Sequence, residues 1–178
     1  MRKKIVPPLA ALVCAALVLA GASAGLKSVQ AKNEAAEQQK LMELLLPGST
    51  TFTPEEYDGE DTNIKEVFKG ETGCVVRTVT FGYVDDIEML VGVADDGKIT
   101  GVVVEDMAET YGLGRRAMTD MDFMAQFIDT KGDAEIGENV DALSGATVTS
   151  KAVTKAINSA AAYMTGADVS SGATEWEE

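Results

Sequence analysis

The sequence predicts an α+β protein in which a transmembrane helix and a stalk helix precede an antiparallel sheet with packed helices. Three features favour this fold: an uncharged apolar run near the start, strand-like segments joined by a tight-turn signal, and a helical apolar stripe near the end. The 178 residues leave room for one globular domain after the apolar run.

The N-terminal segment predicts a membrane anchor. Residues 5–26 carry no charged side chain and follow the basic residues 2–4. A helix of this length crosses a hydrocarbon core of about 30 Å, and the basic flank predicts a cytoplasmic start with the remainder of the chain on the outer face of the cell membrane. A cleaved signal peptide is the alternative, because the small residues 22–24 resemble a cleavage site. The length of the apolar run favours the anchor, and both alternatives place the domain outside.

The next segment predicts a stalk helix and a polar loop. Residues 26–46 mix apolar side chains with Lys, Glu and Gln, and Pro47-Gly48 should end that helix. Residues 48–63 are rich in turn-forming types, and their acidic part, 54–61, lacks the spacing of a calcium loop. We therefore divide the chain into the basic start and transmembrane helix (1–26), the stalk and loop (27–63), a globular domain (64–165) and an acidic tail (166–178).

Strand signals dominate the centre of the chain. Residues 74–81 are rich in Val and Thr, and residues 87–93 alternate apolar with other side chains. Asp95-Asp96-Gly97 predicts a tight turn into a further strand over 99–104.

Two helices should follow the strands. Thr119, followed by Asp120 and Asp122, marks the start of the first, whose buried face should contain Phe123, Phe127 and Ile128. The second should begin near Thr149-Ser150 and run to about Met164, with a stripe formed by Val153, Ile157, Ala160, Ala161 and Met164.

Composition excludes several functions. The formal net charge of −14 makes nucleic acid an unsuitable partner. Only Cys74 lies outside the apolar run, and the chain has no histidine. Serine–histidine catalysis, histidine-ligated metal and an iron–sulfur cluster are therefore excluded, and redox chemistry would need an organic cofactor.

A run of small and hydroxylated residues precedes the last predicted helix. Backbone N–H groups and the helix dipole at such an N-terminus favour a phosphate, and small side chains permit its close approach. The alternative is a loop in which Thr149 or Ser150 caps an ordinary helix; composition alone favours this alternative. The residues concerned are Ser144, Gly145, Ala146, Thr147, Val148 and Thr149.

The same run resembles a known modification motif. Asp141-x-x-Ser-Gly-Ala-Thr147 matches the acceptor motif of the bacterial flavin transferase, which leaves FMN linked to the threonine by a phosphodiester. The resemblance implies that Thr147 is a phosphoryl-FMN threonine and that the protein is a covalent flavoprotein and a phosphoprotein. Asp141 occupies the leading aspartate position of that motif.

A second stretch resembles the FMN-binding domain of the Rnf complex G subunit and of the C subunit of sodium-translocating NADH:quinone reductase. Residues 82–93, 96–102 and 109–114 carry the resemblance, which covers about residues 72–165. In this family a Glu-Thr-Pro-Gly-Leu-Gly loop borders the flavin, which implies contacts from Glu109, Thr110 and Leu113. Tyr111 replaces the proline and removes its restraint on φ. Glu109 is the one candidate for proton exchange with flavin, although an exposed or structural role is equally open.

The resemblance implies a membrane-anchored electron-transfer subunit rather than a stand-alone catalyst. FMN would relay electrons in an Rnf-type ferredoxin:NAD oxidoreductase, a translocase that couples electron transport to ion movement. Its partners would be the other integral membrane subunits and, during maturation, the flavin transferase; we assign no catalytic residue and no metal ligand. Two alternatives remain open: a free-standing anchored FMN protein of extracellular electron transfer, and a flavin-free binding module.

Overall fold

The computed structural model describes residue 33 and residues 35–108 and 114–166. The predicted transmembrane helix (5–26) and the tail beyond Gly166 lie outside the described residues. Within the described ranges, no helix has both the length and the apolarity that crossing a membrane requires. Leu41–Glu178 forms one compact unit, and Met1–Lys40 forms another, of which only helical residues are described.

The described elements run from one helix through five strands to three further helical segments. In chain order they are α1 (35–45), β1 (Thr53–Glu55), β2 (Ile64–Lys69), β3 (Gly73–Phe81), β4 (Asp86–Ala94), β5 (Ile99–Met107), a 3₁₀ helix (Gly114–Met118), α2 (Met121–Ala125) and α3 (Thr147–Thr165). The strands form one antiparallel sheet in the order β1-β2-β3-β4-β5. The predicted α+β class is confirmed for the described residues.

Short turns connect the central strands because the sequence supplies the residues that turns require. Gly97 has φ +83°, a conformation that a side chain would oppose. Its N–H donates to the Ala94 carbonyl at 2.8 Å, and the Ala94 N–H donates to the Lys98 carbonyl at 2.8 Å. The Asp-Gly turn predicted between β4 and β5 is therefore confirmed.

Helix α3 covers one face of the sheet, which we call the α3 face. Apolar residues alternate along the strands, so one set points to α3 and forms the main core. The residues that meet there include Val76, Met89, Val91 and Ile99 from the sheet and Val153, Ile157, Ala160 and Ala161 from α3. The alanines of α3 let its backbone approach the sheet closely, and the predicted apolar stripe of α3 is the part of the helix that packs on this core.

The opposite face, which we call the α1 face, is covered by the end of α1. Leu45 and Leu46 pack there with Val75 and Leu90 in a smaller cluster. A Cβ atom on Gly92 would overlap the Leu45 carbonyl, so glycine is needed for this close approach. The Thr100 hydroxyl donates to that same carbonyl at 2.5 Å, which satisfies an acceptor at the helix end.

Several boundaries differ from the predictions. The predicted polar loop 48–63 contains strand β1, and neither β1 nor β2 was predicted, because these strands lie near the sheet edge and are rich in charged residues. Helix α2 ends at Ala125, and Ile128 is 40% exposed, so the prediction that Ile128 is buried was wrong. Phe123 and Phe127 are buried as predicted.

Candidate functional site

The segment 141–147 alternates exposed and buried residues just before α3. Leu143 and Ala146 are buried in the main core. Asp141, Ser144, Gly145 and Thr147 are exposed. The two buried residues therefore anchor the segment, and every residue type that defines the attachment motif, apart from Ala146, faces outward.

A tight turn shapes the centre of this segment. The Ala146 N–H donates to the Leu143 carbonyl at 2.9 Å, and Gly145 has φ +75°. Gly145 occupies the third position of this turn, where a type II turn requires positive φ. The glycine of the motif is thus explained by backbone geometry, and its exposed position also leaves room for a ligand.

Ser150 ties that turn to the first turn of α3. Its hydroxyl is fully buried, accepts from the Leu143 N–H at 2.9 Å and donates to the Ala146 carbonyl at 2.9 Å. Ser150 therefore gives the buried Leu143 N–H its acceptor and adds a second donor to the Ala146 carbonyl, which also accepts from the Ser150 N–H. The alternative in which Ser150 is the N-cap was wrong, because α3 begins at Thr147.

The N-terminus of α3 is suited to a phosphate. The N-cap residue is Ala146, which makes no side-chain cap hydrogen bond, and the first turn contains no acidic residue. The first N–H groups of a helix have no intrahelical acceptor, and the dipole gives this end a partial positive charge. Thr147 is the first helical residue and is exposed, so its hydroxyl stands where these groups would meet a phosphate attached to it. The residues present therefore fit the phosphate end of FMN.

Gln126 holds the start of the attachment segment. Its side-chain oxygen accepts from the Asp141 N–H at 2.7 Å, and its side-chain nitrogen donates to the Asp141 carbonyl at 3.4 Å. The amide thus engages both backbone groups of Asp141 and leaves that carboxylate exposed. Nothing in the local sequence indicated this contact, because it joins residues on two separate segments.

The turn between β3 and β4 (82–85) lies at the same end of the sheet as Thr147. The Thr80 hydroxyl donates to the Ala152 carbonyl at 3.1 Å, so the last residues of β3 lie beside the start of α3. At the other end, a Cβ atom on Gly97 would meet the side chain of Thr165, the last residue of α3. Helix α3 therefore runs antiparallel to β3, with its N-terminus toward the 82–85 turn.

The remaining predicted site residues divide into two groups. Val148 is half-buried and Thr149 is buried, so their side chains contribute to the helix packing more than to an exposed site. Glu109, Thr110 and Leu113 lie outside the described residues. The strand that leads to them, β5, ends beside β4 with Met107 opposite Ile87, at the same end of the sheet as Thr147.

Other chemistry is not indicated within the described residues. No group of three or more cysteine or acidic side chains could hold a metal ion there. Cys74 is a free, buried thiol, and burial raises its pKa to about 12, so it stays protonated and unreactive at neutral pH.

Comparisons with known proteins identify the domain that contains Thr147. Residues 82–162 match the FMN-binding domain family, a segment that contains the 82–85 turn, Thr147 and most of α3.

Three curated relatives are components of ion-translocating complexes, and each is the G subunit of its complex. The relative from the ion-translocating oxidoreductase complex of Methanosarcina acetivorans is 34% identical over an alignment 163 residues long, which covers 84% of each chain. The relative from the proton-translocating ferredoxin:NAD(+) oxidoreductase complex of Clostridium ljungdahlii is 41% identical over an alignment 98 residues long, which covers 51% of this chain and 52% of the relative. The relative from the Na(+)-translocating ferredoxin:NAD(+) oxidoreductase complex of Acetobacterium woodii is 35% identical over an alignment 107 residues long, which covers 52% of each chain. The chain therefore belongs to the family of G subunits of Rnf-type ion-translocating oxidoreductase complexes and carries their FMN-binding domain.

Proposed function

We propose that this protein is a membrane-anchored covalent flavoprotein subunit that carries FMN on Thr147 and relays electrons within an Rnf-type ferredoxin:NAD oxidoreductase. The observation that carries the proposal is the exposed Thr147 hydroxyl at the uncapped N-terminus of α3, inside the matched domain. When bound, FMN would supply the redox chemistry, because it accepts and donates electrons singly or in pairs.

The residues of the chain would bind and orient this cofactor. The first turn of α3 would stabilise the phosphodiester charge, and the Leu143–Ala146 turn would fix the direction in which Thr147 projects. Ser150 and Gln126 would restrain that segment from both sides through their backbone hydrogen bonds. A covalent link also suits a domain on the outer face of the cell membrane, because flavin lost there could not be replaced from an internal pool.

The names of the relatives support the partners that we propose for this chain. The three relatives are subunits of complexes that translocate ions, protons or Na(+), and two of them belong to ferredoxin:NAD(+) oxidoreductases. We propose that this chain joins other integral membrane subunits of such a complex, after a flavin transferase has loaded it. The chain would be one component of a translocase. Within the chain, Glu109 is the candidate residue for proton exchange with the flavin.

The experiment replaces Thr147 with valine, which keeps the branched shape and removes the hydroxyl. The full chain is produced together with a flavin transferase, and intact mass and in-gel flavin fluorescence after denaturation are measured. We expect wild type to gain the mass of one FMN minus water and Thr147→Val to gain none. Thr119→Val, which changes an exposed threonine outside the motif, should keep the adduct. Covalent flavin on Thr147→Val would overturn the assignment of the residue, and an unmodified wild type would overturn the covalent cofactor.

A further inference from the structure

We infer that the flavin transferase docks on an exposed apolar patch of the α2 segment while it modifies Thr147. The patch is formed by Met121, Ala125 and Ile128, and we call it the α2 patch. This inference rests on the proposed function, because it takes Thr147 as the residue that receives FMN. It adds a recognition surface outside the attachment motif, through which the enzyme binds the folded domain.

The α2 patch is apolar surface that the domain itself leaves uncovered. Met121 is 76% exposed and Ile128 40%, and Ala125 is exposed as well. The Ile128 N–H donates to the Ala125 carbonyl at 3.3 Å, so the chain keeps turning past the end of α2. Residues spaced by four and three positions on such a segment share one side. Methionine in particular adapts its shape to a partner surface.

Two buried phenylalanines hold the patch in place from below. Phe123 and Phe127 belong to the main core, and their rings meet edge to face with centroids 5.3 Å apart. The Asp120 carboxylate caps α2 by accepting from the Phe123 N–H at 3.1 Å. The patch is therefore preformed, and a partner that docks on it spends little free energy on ordering the segment.

Gln126 connects the α2 patch to the attachment segment. It lies within the span of the patch, and its side chain bonds to both backbone groups of Asp141, where the motif begins. From Asp141 to Thr147 the chain can extend at most about 20 Å. A protein interface of ordinary size buries about 800 Å² on each partner, a region about 30 Å across. One enzyme surface can therefore cover the patch and Thr147 together.

The charge around the patch fits an enzyme that binds FAD. Residues 132–150 contain four acidic side chains, all exposed, and no basic one, and Asp122 in the patch segment is also exposed. Arg115 and Arg116 precede the patch, and Arg116 is paired with Asp120 at 2.9 Å. A transferase that holds the anionic pyrophosphate of FAD needs positive charge around its active site, which complements this acidic surface. An anionic lipid surface or a second copy of this acidic chain would be repelled.

The experiment measures initial rates of FMN transfer to the full chain, made without the transferase and purified in detergent. The reaction joins the Thr147 hydroxyl oxygen to the FMN phosphorus of FAD, breaks the pyrophosphate bond, and releases AMP and the hydroxyl proton. Purified transferase and excess FAD are mixed with increasing concentrations of the chain, and covalent flavin is followed by in-gel fluorescence and intact mass. We expect the double variant Met121→Gln/Ile128→Thr to raise the KM for the chain about fivefold or more and to keep kcat, because the patch supplies binding alone.

Two pairs of variants separate the apolar and the charged contributions. Leu44→Gln is the matched apolar control, because Leu44 is 73% exposed and its neighbour Leu45 packs on the α1 face; this variant should keep the wild-type KM. Asp122→Asn should raise KM at low salt and weaken the increase of KM with salt concentration. Asp95→Asn should do neither, because Asp95 is an exposed residue in the turn beside the C-terminal end of α3.

The outcomes separate this inference from the proposed function. A wild-type KM in Met121→Gln/Ile128→Thr, with the adduct formed, would overturn the inference and leave the attachment at Thr147 intact. An equal rise of KM in Leu44→Gln would also overturn it, as would a fall in kcat at unchanged KM, because the patch would then position Thr147 instead of binding the enzyme. A wild-type salt dependence in Asp122→Asn would overturn the electrostatic complementarity. An absence of adduct on wild type would overturn the proposed function and this inference together.

Discussion

The two faces of the sheet are stabilised by different kinds of interaction. On the α3 face, apolar side chains from the central strands and from one long helix are buried together. On the α1 face, the end of α1 covers only part of the sheet. The rest of that face carries Arg77 in contact with three glutamates, one from each of three neighbouring strands.

The charge cluster on the α1 face has a defined geometry. The Arg77 guanidinium lies 3.0 Å from Glu66, 2.7 Å from Glu88 and 3.0 Å from Glu105, with the contact to Glu88 also a hydrogen bond. Burial by itself would lower the pKa of Arg77, but the three glutamates together raise it, so the cation is retained. One cation among three carboxylates leaves the cluster negative.

The two faces of the sheet therefore stabilise the fold in different ways. The α3 face positions Thr147 through volume and shape, because α3 is fixed by the side chains beneath it. The α1 face depends on charge and therefore on pH. Substitutions on the α3 face should change stability by a similar amount at every pH, whereas substitutions in the charge cluster should not.

The largest effect is expected on the α3 face. Ile157 is fully buried in the main core, so Ile157→Ala removes apolar contacts and leaves a cavity. We expect it to lower the free energy of unfolding by about 3 kcal/mol, as measured by urea denaturation at pH 7 and pH 5. The loss should be the same at both values of pH, because no titratable group is removed.

Two controls accompany this variant. Ile157→Leu conserves volume and should cost less than about 1.5 kcal/mol. Lys155→Ala, on the same helix and only half-buried, should cost less than about 0.5 kcal/mol. A Lys155→Ala loss as large as that of Ile157→Ala would show that contacts at the edge of the helix, and not core packing, hold α3 on the sheet.

The sequence predicts the α3 face better than the α1 face, for a physical reason. Strands β3, β4 and β5 and helix α3 each send apolar side chains into the main core, and those side chains recur with the period of the element. Strand β2 has the sequence Ile-Lys-Glu-Val-Phe-Lys, whose charged residues hide any alternation. Strand β1 has three exposed residues and forms only by pairing with β2, which no local pattern can indicate.

In the candidate site, too, features that depend on neighbouring residues could be predicted from the sequence, and contacts between distant residues could not. Thr147 could be proposed as the attachment residue because its motif is contiguous, whereas the turn that requires Gly145 is visible only in the structure. Gln126 and the 82–85 turn could not be placed beside the motif, because the contacts of Gln126 with Asp141 and of Thr80 with Ala152 join distant positions. The start of α3 was predicted two residues late, because its N-cap is an alanine instead of a hydroxyl side chain.

The next largest effect is expected from Arg77→Met, which keeps an unbranched apolar stem and removes the cation. Three carboxylates would then face one another, two of them partly buried. We expect a loss of about 2 kcal/mol at pH 7, between the values typical of exposed and of buried pairs, and a smaller loss at pH 4. Arg116→Met is the control, because its pair with Asp120 is an exposed contact between residues four positions apart and should cost about 0.3–0.5 kcal/mol. A loss from Arg77→Met that does not change with pH would show that its stem, and not its charge, stabilises the α1 face.

The smallest and most specific effect concerns Glu105. Burial raises the pKa of Glu105, Arg77 opposes that rise, and Glu88 and Glu66 add to it. The folded protein therefore binds the Glu105 proton more tightly than the unfolded chain does. The stabilisation from the protonated form is fully present below the ordinary pKa of a glutamate and is lost as pH rises through the higher folded pKa.

Glu105→Gln should thus gain stability relative to wild type as pH rises from 3 to 7. The gain should be less than about 1 kcal/mol, because the side chain keeps partial contact with water. In the Arg77→Met background the same substitution should gain more, because the opposing cation is absent and the buried carboxylate then costs more. Urea denaturation of the four proteins at each pH gives this coupling directly. If Glu105→Gln is instead less stable than wild type at pH 7, the ion pair with Arg77 outweighs the cost of burial, and charge stabilises the α1 face as shape stabilises the α3 face.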